Sequence, residues 1–141
     1  MAIFKDEQEV RNFFEIFLDK VGSHFEACSA LKNSDLILQI RLTEPKASIK
    51  IDAQSMSQPS TSTPRSYFGE EGPEPDLTLE MAASTLDELW SGKKDIFATL
   101  ISGKLKISGN MAKASRLVPL LKLIPPIYAE TLAEFESKKT D

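Results

Sequence analysis

A histidine and a cysteine four residues apart form the first candidate site for chemistry. His24 and Cys28 are the only residues of their types in the chain. On a helix this spacing places both side chains on one face, where an imidazole can activate a thiolate for covalent catalysis. A short helix that buries a free cysteine gives the same pattern, because free cysteine is one of the most buried residue types. The pattern favours a structural role, with a Cys28-dependent enzyme as the alternative.

Two glycines in a lysine-rich segment raise a second possibility, a phosphate-binding loop. Residues 100–121 read LISGKLKISGNMAKASRLVPLL. A P-loop requires a glycine five positions before the glycine of its Gly-Lys pair and a serine or threonine after the lysine. Ala98 and Leu105 occupy those positions, so the motif is absent. Gly103 and Gly109 instead predict a helix end and a turn after a strand.

Four acidic residues lie close together at Glu70, Glu71, Glu74 and Asp76. Glycine and proline interrupt them, which is typical of a solvated loop, and the ligand spacing of a calcium-binding EF-hand loop is absent. A metal site would need several converging ligands, and one histidine and one cysteine leave little besides carboxylates. We predict neither a metal site nor a cofactor.

Length and composition indicate one globular domain spanning residues 1–141. The net charge of −4 argues against a nucleic-acid partner, because nucleic-acid binding usually requires a basic domain. No apolar run approaches the roughly 18 residues that cross a bilayer. The single cysteine excludes an internal disulfide and suits a reducing compartment. We therefore expect a soluble, cytoplasmic protein.

Apolar spacing predicts two N-terminal helices. The first carries a stripe at i, i+3, i+4, i+7 and i+8 and ends at Gly22; its members are Val10, Phe13, Phe14, Phe17, Leu18 and Val21. Ser23, followed three residues later by Glu26, matches a capping box. It predicts the start of a second, short helix.

Alternating apolar and polar residues predict the strands. Residues 36–43 and 48–52 alternate on either side of a Glu-Pro-Lys turn, which predicts an antiparallel hairpin. Shorter strands are predicted near residues 66–68, 77–81 and 105–107. Between residues 53 and 66 a Ser/Thr/Pro-rich loop is long for a compact domain, which indicates a mobile segment or an insertion.

Helix signals dominate the rest of the chain. Residues 85–88 match a second capping box, and Asp95 and Asn110 are suitable N-caps. Pro119 predicts a kink or a restart, and Pro125-Pro126 predict a second break before a final short helix. Because helices and strands do not alternate regularly, the predicted fold class is α+β.

The C-terminal third combines apolar density with basic charge. Short helices over a small sheet pack imperfectly, and their methionine and phenylalanine side chains can line a cavity for an apolar ligand, although ordinary core is the alternative. No acidic residue occurs between residues 96 and 129, where the basic residues are Lys104, Lys106, Lys113, Arg116 and Lys122. This segregation reflects either intramolecular charge balance or a patch that meets anionic head groups at a membrane surface.

Residues 86–114, LDELWSGKKDIFATLISGKLKISGNMAKA, resemble the signature region of the sterol carrier protein type 2 family. The run SGKLKISGNM carries most of the similarity, and the DLTLEM strand and the order of elements agree with it. The resemblance implies a five-stranded mixed, largely antiparallel sheet with helices packed on one face, enclosing a hydrophobic tunnel for fatty acids, acyl-CoA, phospholipids, sterols or isoprenoids. It implies no catalysis. Lys94-Asp95 stands where the family often has Asn-Pro, and Pro119 interrupts the helix after the motif.

These features together predict a non-enzymatic lipid carrier. The residues expected to line its tunnel are Phe14, Phe17, Trp90, Phe97, Leu100, Ile101, Leu105, Ile107, Met111, Leu117, Leu121 and Ile124. Lys104, Lys113 and Arg116 are the candidates for contact with a carboxylate or phosphate head group. The alternative is an accessory module that docks a partner enzyme, for example in lipid or isoprenoid-quinone metabolism, with its cavity closed by its own C-terminal segment.

Overall fold

Helices and strands occupy most of the chain that the structure describes. The computed structural model describes residues 3–57 and 63–139, without the side chain of residue 139. The helices are α1 (Glu7–Ser23), α2 (Phe25–Ser34), α3 (Ala83–Trp90), α4 (Ile96–Ile101) and α5 (Val118–Lys139). The strands are β1 (Ile37–Thr43), β2 (Lys46–Asp52), β3 (Arg65–Phe68), β4 (Leu77–Met81) and β5 (Lys106–Gly109). Two 3-10 helices cover Ala53–Ser57 and Met111–Leu117.

The strands form one mixed sheet in the order β3-β2-β1-β4-β5. β1 runs parallel to β4, and the other neighbouring pairs are antiparallel. Leu38, Ile40 and Leu42 of β1 are in register with buried apolar residues of β2 and β4, so apolar rows cross one face of the sheet. The predicted hairpin and the five-stranded mixed sheet are confirmed.

Helices α1, α2, α3 and α5 pack against one another over this apolar face. The stripe predicted for α1 is confirmed, since all six of its residues are buried. Its phenylalanines join aromatic residues of α3 and α5, and the rings of Phe13 and Tyr128 lie 5.7 Å apart. The α+β class with helices on one face is therefore confirmed.

Both predicted capping boxes are wrong. α2 begins after His24, which makes no capping hydrogen bond with its side chain. The Ser23 hydroxyl instead donates to the Lys20 carbonyl at the end of α1. α3 begins at Ala83, so Thr85 lies inside the helix, where it is buried. In each case the hydroxyl lies where it cannot cap the predicted helix.

Caps and turns between residues 95 and 110 occupy their predicted positions. The side chains of Asp95 and Asn110 each accept a backbone N–H of the turn that follows. Gly103 and Gly109 both have positive φ angles, of 82° and 108°. At Gly109 a Cβ atom would also collide with the carbonyl group of Asp76, so only glycine fits this turn.

Three prolines in α5 have different effects. Pro119 lies in the first turn, where a missing N–H removes no intrahelical hydrogen bond, and the helix restarts there as predicted. Pro125 and Pro126 lie inside the same helix, so the predicted second break is wrong. They remove two donors, but Ile127 and Tyr128 directly after them are almost fully buried. That packing maintains the helix across the pair.

The predicted polar loop at residues 53–66 is described only at its two ends, because residues 58–62 lie outside the described residues. Its first part is the 3-10 helix Ala53–Ser57, in which Met56 is fully buried. The Ser55 hydroxyl accepts the backbone N–H of Arg65 at 2.9 Å. These contacts attach both ends of the segment to the rest of the domain.

Asp76 joins the starts of β1 and β4 to the 3-10 helix before α5. One carboxylate oxygen accepts the Ile37 backbone N–H at 2.9 Å, and the other accepts the Lys113 ammonium at 2.9 Å. The Asp76 carbonyl also accepts the Asn110 N–H. The hydrogen bond from Ile37 above all, together with Lys113, lowers the pKa of Asp76 against the opposing effect of burial.

We predict that Asp76→Asn lowers the free energy of unfolding by about 1.5–3 kcal/mol near neutral pH, because Asn offers Ile37 and Lys113 only a neutral acceptor. Folding lowers the pKa of Asp76, so the carboxylate's contribution to the free energy of unfolding is fully present above the unfolded-state pKa. It is lost as the pH falls through the folded-state pKa. Urea denaturation should therefore show a difference between the two proteins that disappears in strong acid.

The neighbouring variant Glu74→Gln is the matched control, since Glu74 is exposed, and its stability should equal that of the wild type. A difference between Asp76→Asn and the wild type that persists below the folded-state pKa would contradict the assigned role.

Candidate functional site

Two apolar cavities lie between the inner face of the sheet and the helices. The inner cavity, of about 50 Å³, is enclosed by α1, α2, β1, β2, α5 and the end of α3. The outer cavity, of about 190 Å³, is enclosed by β4, α3, α5, the start of α4 and the segments that flank α4. Trp90 and Ile124 line both cavities, so these two side chains form the partition between them.

The two cavities differ in access to solvent. The inner cavity has only apolar walls, formed by Phe17, Leu18, Val21, Ala27, Leu31, Leu38, Ile40, Ile51, Trp90, Leu120, Ile124 and Ile127. The outer cavity is lined by Leu79, Met81, Leu89, Trp90, Gly92, Lys94, Asp95, Ile96, Leu105, Leu121, Ile124 and Pro125. Of these, Gly92, Lys94 and Asp95 are exposed, so the mouth lies at the turn between α3 and α4.

Trp90 is held in place by aromatic neighbours from two helices. Its ring stacks on Phe17 of α1, with centroids 4.7 Å apart and planes at 25°. Phe14 and Tyr128 contact it edge-on at 5.9 Å and 6.0 Å. The Tyr128 hydroxyl donates to the Asp87 carboxylate at 2.5 Å, and burial, followed by this bond, raises the pKa of Tyr128. The hydroxyl therefore remains a donor, which ties α5 to α3 beside the partition.

Neither cavity holds a long apolar chain in this conformation. Pockets for drug-sized ligands measure roughly 300–1,000 Å³, and an engineered cavity of roughly 150 Å³ holds benzene. The outer cavity is thus large enough for a small apolar group, and the inner one for much less. Displacing Trp90 would join the two into one apolar space between the mouth and the centre of the core.

The structure brings five of the predicted lining residues to the cavities: Phe17, Trp90, Leu105, Leu121 and Ile124. Phe14 and Leu117 are buried, and Leu100 and Ile107 are half-buried, but none of these four lines either cavity.

Three further predicted residues, Phe97, Ile101 and Met111, are exposed and lie on neither cavity. The reason in α4 is its orientation: Thr99 is buried, and at 100° per residue this turns Phe97 and Ile101 towards solvent. Met111 follows the Gly109 turn at the end of an edge strand.

Most residues that line the inner cavity are not among the lining residues predicted from the sequence. They come from the alternating residues of β1 and β2 and from α2 and α5, whose apolar periodicity is the same for a cavity wall as for solid core. The alternation of apolar and polar residues along each strand predicts that Leu38, Ile40 and Ile51 face the core. It does not predict that they line a cavity.

Two of the three predicted head-group residues are engaged in the fold. Lys113 pairs with Asp76, and the Arg116 guanidinium donates to the Ser34 carbonyl at 3.3 Å. Lys104 remains exposed and lines a polar groove of about 150 Å³ beside the mouth. Neither Lys113 nor Arg116 lines the cavities or this groove.

Lys94 links the outer cavity to this polar groove. Its side chain lines both, whereas the groove also contains Glu88, Ser102 and Lys104. Lys94 is not among the predicted head-group residues, because it precedes the segment 96–129 in which basic residues occur without acidic ones. Two ammonium groups beside an apolar mouth suit a molecule with an anionic head and an apolar chain.

His24 lies at the junction of α1 and α2, and Cys28 lies in α2. His24 precedes α2, and its ring lies 3.1 Å from the Glu130 carboxylate of α5. Within residues 3–57 and 63–139, no three histidine, cysteine or acidic side chains converge in a way that could hold a metal ion. A search of the same residues finds no helix whose length and apolar character would allow it to cross a membrane.

This chain matches one protein family in sequence and several solved structures in fold. The model of the SCP-2 sterol transfer family matches residues 14–122. Sterol carrier protein domain 2 of Helicoverpa armigera has a TM-score of 0.67 at 18% identity, over 89% of this chain and 95% of that one. Sterol carrier protein 2 from Yarrowia lipolytica, in its apo form, has a TM-score of 0.62 at 19% identity, over 86% and 95%. The ubiquinone synthesis protein UbiJ-SCP2 has a TM-score of 0.55 at 20% identity, over 76% and 84%. No curated protein sequence matches.

We predict that Trp90→Leu connects the two cavities and increases the uptake of a long-chain fatty acid, because the smaller side chain no longer closes the partition. The same change should lower the free energy of unfolding by about 1–3 kcal/mol through lost ring contacts. Uptake is measured with a fatty acid whose fluorescence rises in apolar surroundings, and stability by urea denaturation.

Phe14→Leu is the matched control. Phe14 is buried even more deeply than Trp90 and touches its ring, but it lines neither cavity. If Phe14→Leu increased uptake as much as Trp90→Leu, a loosened core and not the partition would be responsible.

Proposed function

The chain belongs to the SCP-2 sterol transfer family, and from this premise we propose that it is a non-catalytic carrier for a lipid with a long apolar chain. The observation that carries the proposal is the pair of apolar cavities that share one wall and open beside Lys94. Such a shape can take a chain that enters at the mouth and extends inward past Trp90. We place this activity in the cytoplasm, in keeping with a single cysteine.

A flexible chain fits this geometry better than a rigid ring system. The inner cavity is small, and its walls are aliphatic side chains and two aromatic rings. A fatty acyl or isoprenoid chain can occupy two small spaces in succession, whereas a fused ring system would require one wide space from the start. Each buried methylene contributes about 0.8 kcal/mol, so a long chain can reach micromolar affinity after the cost of association.

Lys94 and Lys104 are the groups that we assign to the head group. Both are exposed at the groove beside the mouth, and an anionic carboxylate or phosphate there would lie between two ammonium groups. Glu88 lines the same groove, so an anionic head that also carries an ammonium group is accommodated. This assignment replaces Lys113 and Arg116, which are engaged in the fold.

A second candidate function is an accessory module that docks a partner enzyme. The similarity to UbiJ-SCP2, a ubiquinone synthesis protein, favours it, as does the small size of the cavities in this conformation. In that case α5, which lines both cavities, would keep the space closed, and saturable ligand uptake would be absent.

We predict that Leu121→Trp weakens binding of the fluorescent fatty acid about tenfold, because the indole would fill the outer cavity behind its mouth. Fluorescence titration measures the affinity, and native mass spectrometry of freshly purified protein shows whether a lipid co-purifies. Met111→Trp is the matched control, since Met111 is exposed and lies on neither cavity. A wild-type protein without bound lipid and without saturable uptake would favour the docking module instead.

We predict that Lys94→Gln weakens binding of a fatty acid by about two- to fivefold and leaves the corresponding fatty alcohol unaffected, because only the acid carries a charge. Paired titrations with both ligands provide the measurement. Lys32→Gln, an exposed lysine on α2, serves as the control and should change neither affinity. Equal losses for acid and alcohol would assign Lys94 to the shape of the mouth and not to the head group.

A further inference from the structure

An exposed apolar ridge lies directly beside the mouth of the outer cavity. Phe97 and Ile101 occupy one face of α4 at i and i+4, with exposed fractions of 66% and 88%. Ile96, on the adjoining face of the same helix, lines the outer cavity. The apolar surface of α4 therefore continues from the cavity wall out to solvent.

Basic residues border this ridge on both sides. Lys93 and Lys94 precede α4, Lys104 follows it, and all three are exposed. None of them forms an ion pair with any residue in the described parts of the chain. Two acids lie nearby, and the three lysines outnumber them: Asp95 accepts the Ala98 N–H as the cap of α4, and Glu88 is half-buried in the groove.

We propose that this ridge, Phe97 and Ile101 bordered by Lys93, Lys94 and Lys104, is the surface by which the protein docks on an anionic lipid bilayer. Two apolar side chains flanked by lysines match the pattern of interfacial binding, in which apolar groups enter the head-group boundary and ammonium groups meet anionic lipids. Charge complementarity favours an anionic bilayer as the binding partner of this ridge. A protein of net charge −4 is repelled by an anionic bilayer at most other orientations, so the basic ridge selects one.

A comparison with Phe25, another exposed apolar residue, shows why the ridge is distinctive. Phe25 at the start of α2 is 85% exposed, but it lies between His24 and Glu26 and has no lysine beside it in the sequence. A bilayer-facing role therefore fits α4 and not α2. The inference rests on the proposed carrier function, because docking at α4 would bring the mouth of the outer cavity next to the lipid source.

The test is flotation of the whole protein with phosphatidylcholine vesicles, either pure or containing about 30% phosphatidylserine. We expect binding to the anionic vesicles, little to the neutral ones, and a loss of binding in about 1 M salt. The double variant Phe97→Ser/Ile101→Ser should bind at least about tenfold more weakly. Lys93→Gln should bind about fivefold more weakly.

Matched controls and a second readout separate the alternatives. Phe25→Ser and Lys32→Gln should bind vesicles like the wild type, and the double variant should still take up the fluorescent fatty acid from solution. Vesicle binding that survives the double variant, or that Phe25→Ser weakens equally, would overturn the proposal. So would a wild-type dimer that the double variant dissociates in sedimentation, because the ridge would then be a contact between copies of the chain.

The two proposals fail in distinguishable ways. A protein that takes up the fatty acid in solution but ignores anionic vesicles would retain the carrier function and lose the docking surface. A protein that binds vesicles through α4 but takes up no fatty acid would retain the docking surface and lose the carrier function.

Discussion

The stack of Trp90 on Phe17 is the interaction on which both the packing and the cavities depend. With centroids 4.7 Å apart, it joins the end of α3 to the middle of α1, while Tyr128 of α5 contacts the indole edge-on. The same indole divides the apolar space into an inner and an outer cavity. Moving Trp90 to open a continuous space would therefore disturb the contacts that join three helices. Any ligand that passes the partition is coupled to the stability of this helix packing.

The sheet explains why the two apolar cavities lie on its helix side. On its other face Lys50 and Gln39 are polar but buried, with exposed fractions of 6% and 3%. The Thr78 hydroxyl donates to Gln39 at 3.0 Å, and the Lys50 ammonium reaches the Glu70 carbonyl at 3.5 Å. The segment after β3 covers the part of this face at β2, where the Gly69 and Glu70 carbonyls accept from Ser48 and Lys50. On the helix side, by contrast, aliphatic and aromatic side chains meet without directional bonds, so a small gap there loses dispersion contacts but leaves no polar group without a hydrogen bond.

Much of the architecture could be predicted from periodicity. The stripe of α1, the hairpin of β1 and β2 and the caps at Asp95 and Asn110 each follow from local rules that the structure obeys. The capping box predicted at Ser23 is absent because its hydroxyl donates to the Lys20 carbonyl instead, and the break predicted at Pro125-Pro126 is absent because Ile127 and Tyr128 are buried. The family resemblance implied a mixed sheet, which local periodicity left open. The parallel pairing of β1 with β4 joins segments about 40 residues apart, beyond the reach of local rules.

The site was less predictable than the fold, for a physical reason. A cavity wall and a solid core obey the same apolar periodicity, so Leu38 and Leu42 look alike in sequence although only Leu38 lines a cavity. Charged residues present a similar difficulty, since a lysine that binds a ligand cannot be told in sequence from a lysine that forms a structural salt bridge. Lys113 is of the second kind because Asp76 lies 2.9 Å away, which only the folded arrangement creates.

The cost of losing the stack of Trp90 on Phe17 can be compared with what a chain would gain behind the partition. An aromatic pair contributes about 0.5–1.5 kcal/mol beyond its buried area, and each buried methylene about 0.8 kcal/mol. Two or three methylenes past Trp90 therefore offset the loss of its stack on Phe17. A ligand too short to reach the inner cavity would bear the cost without this gain. The closed partition thus makes chain length, more than the head group, the property on which binding would depend.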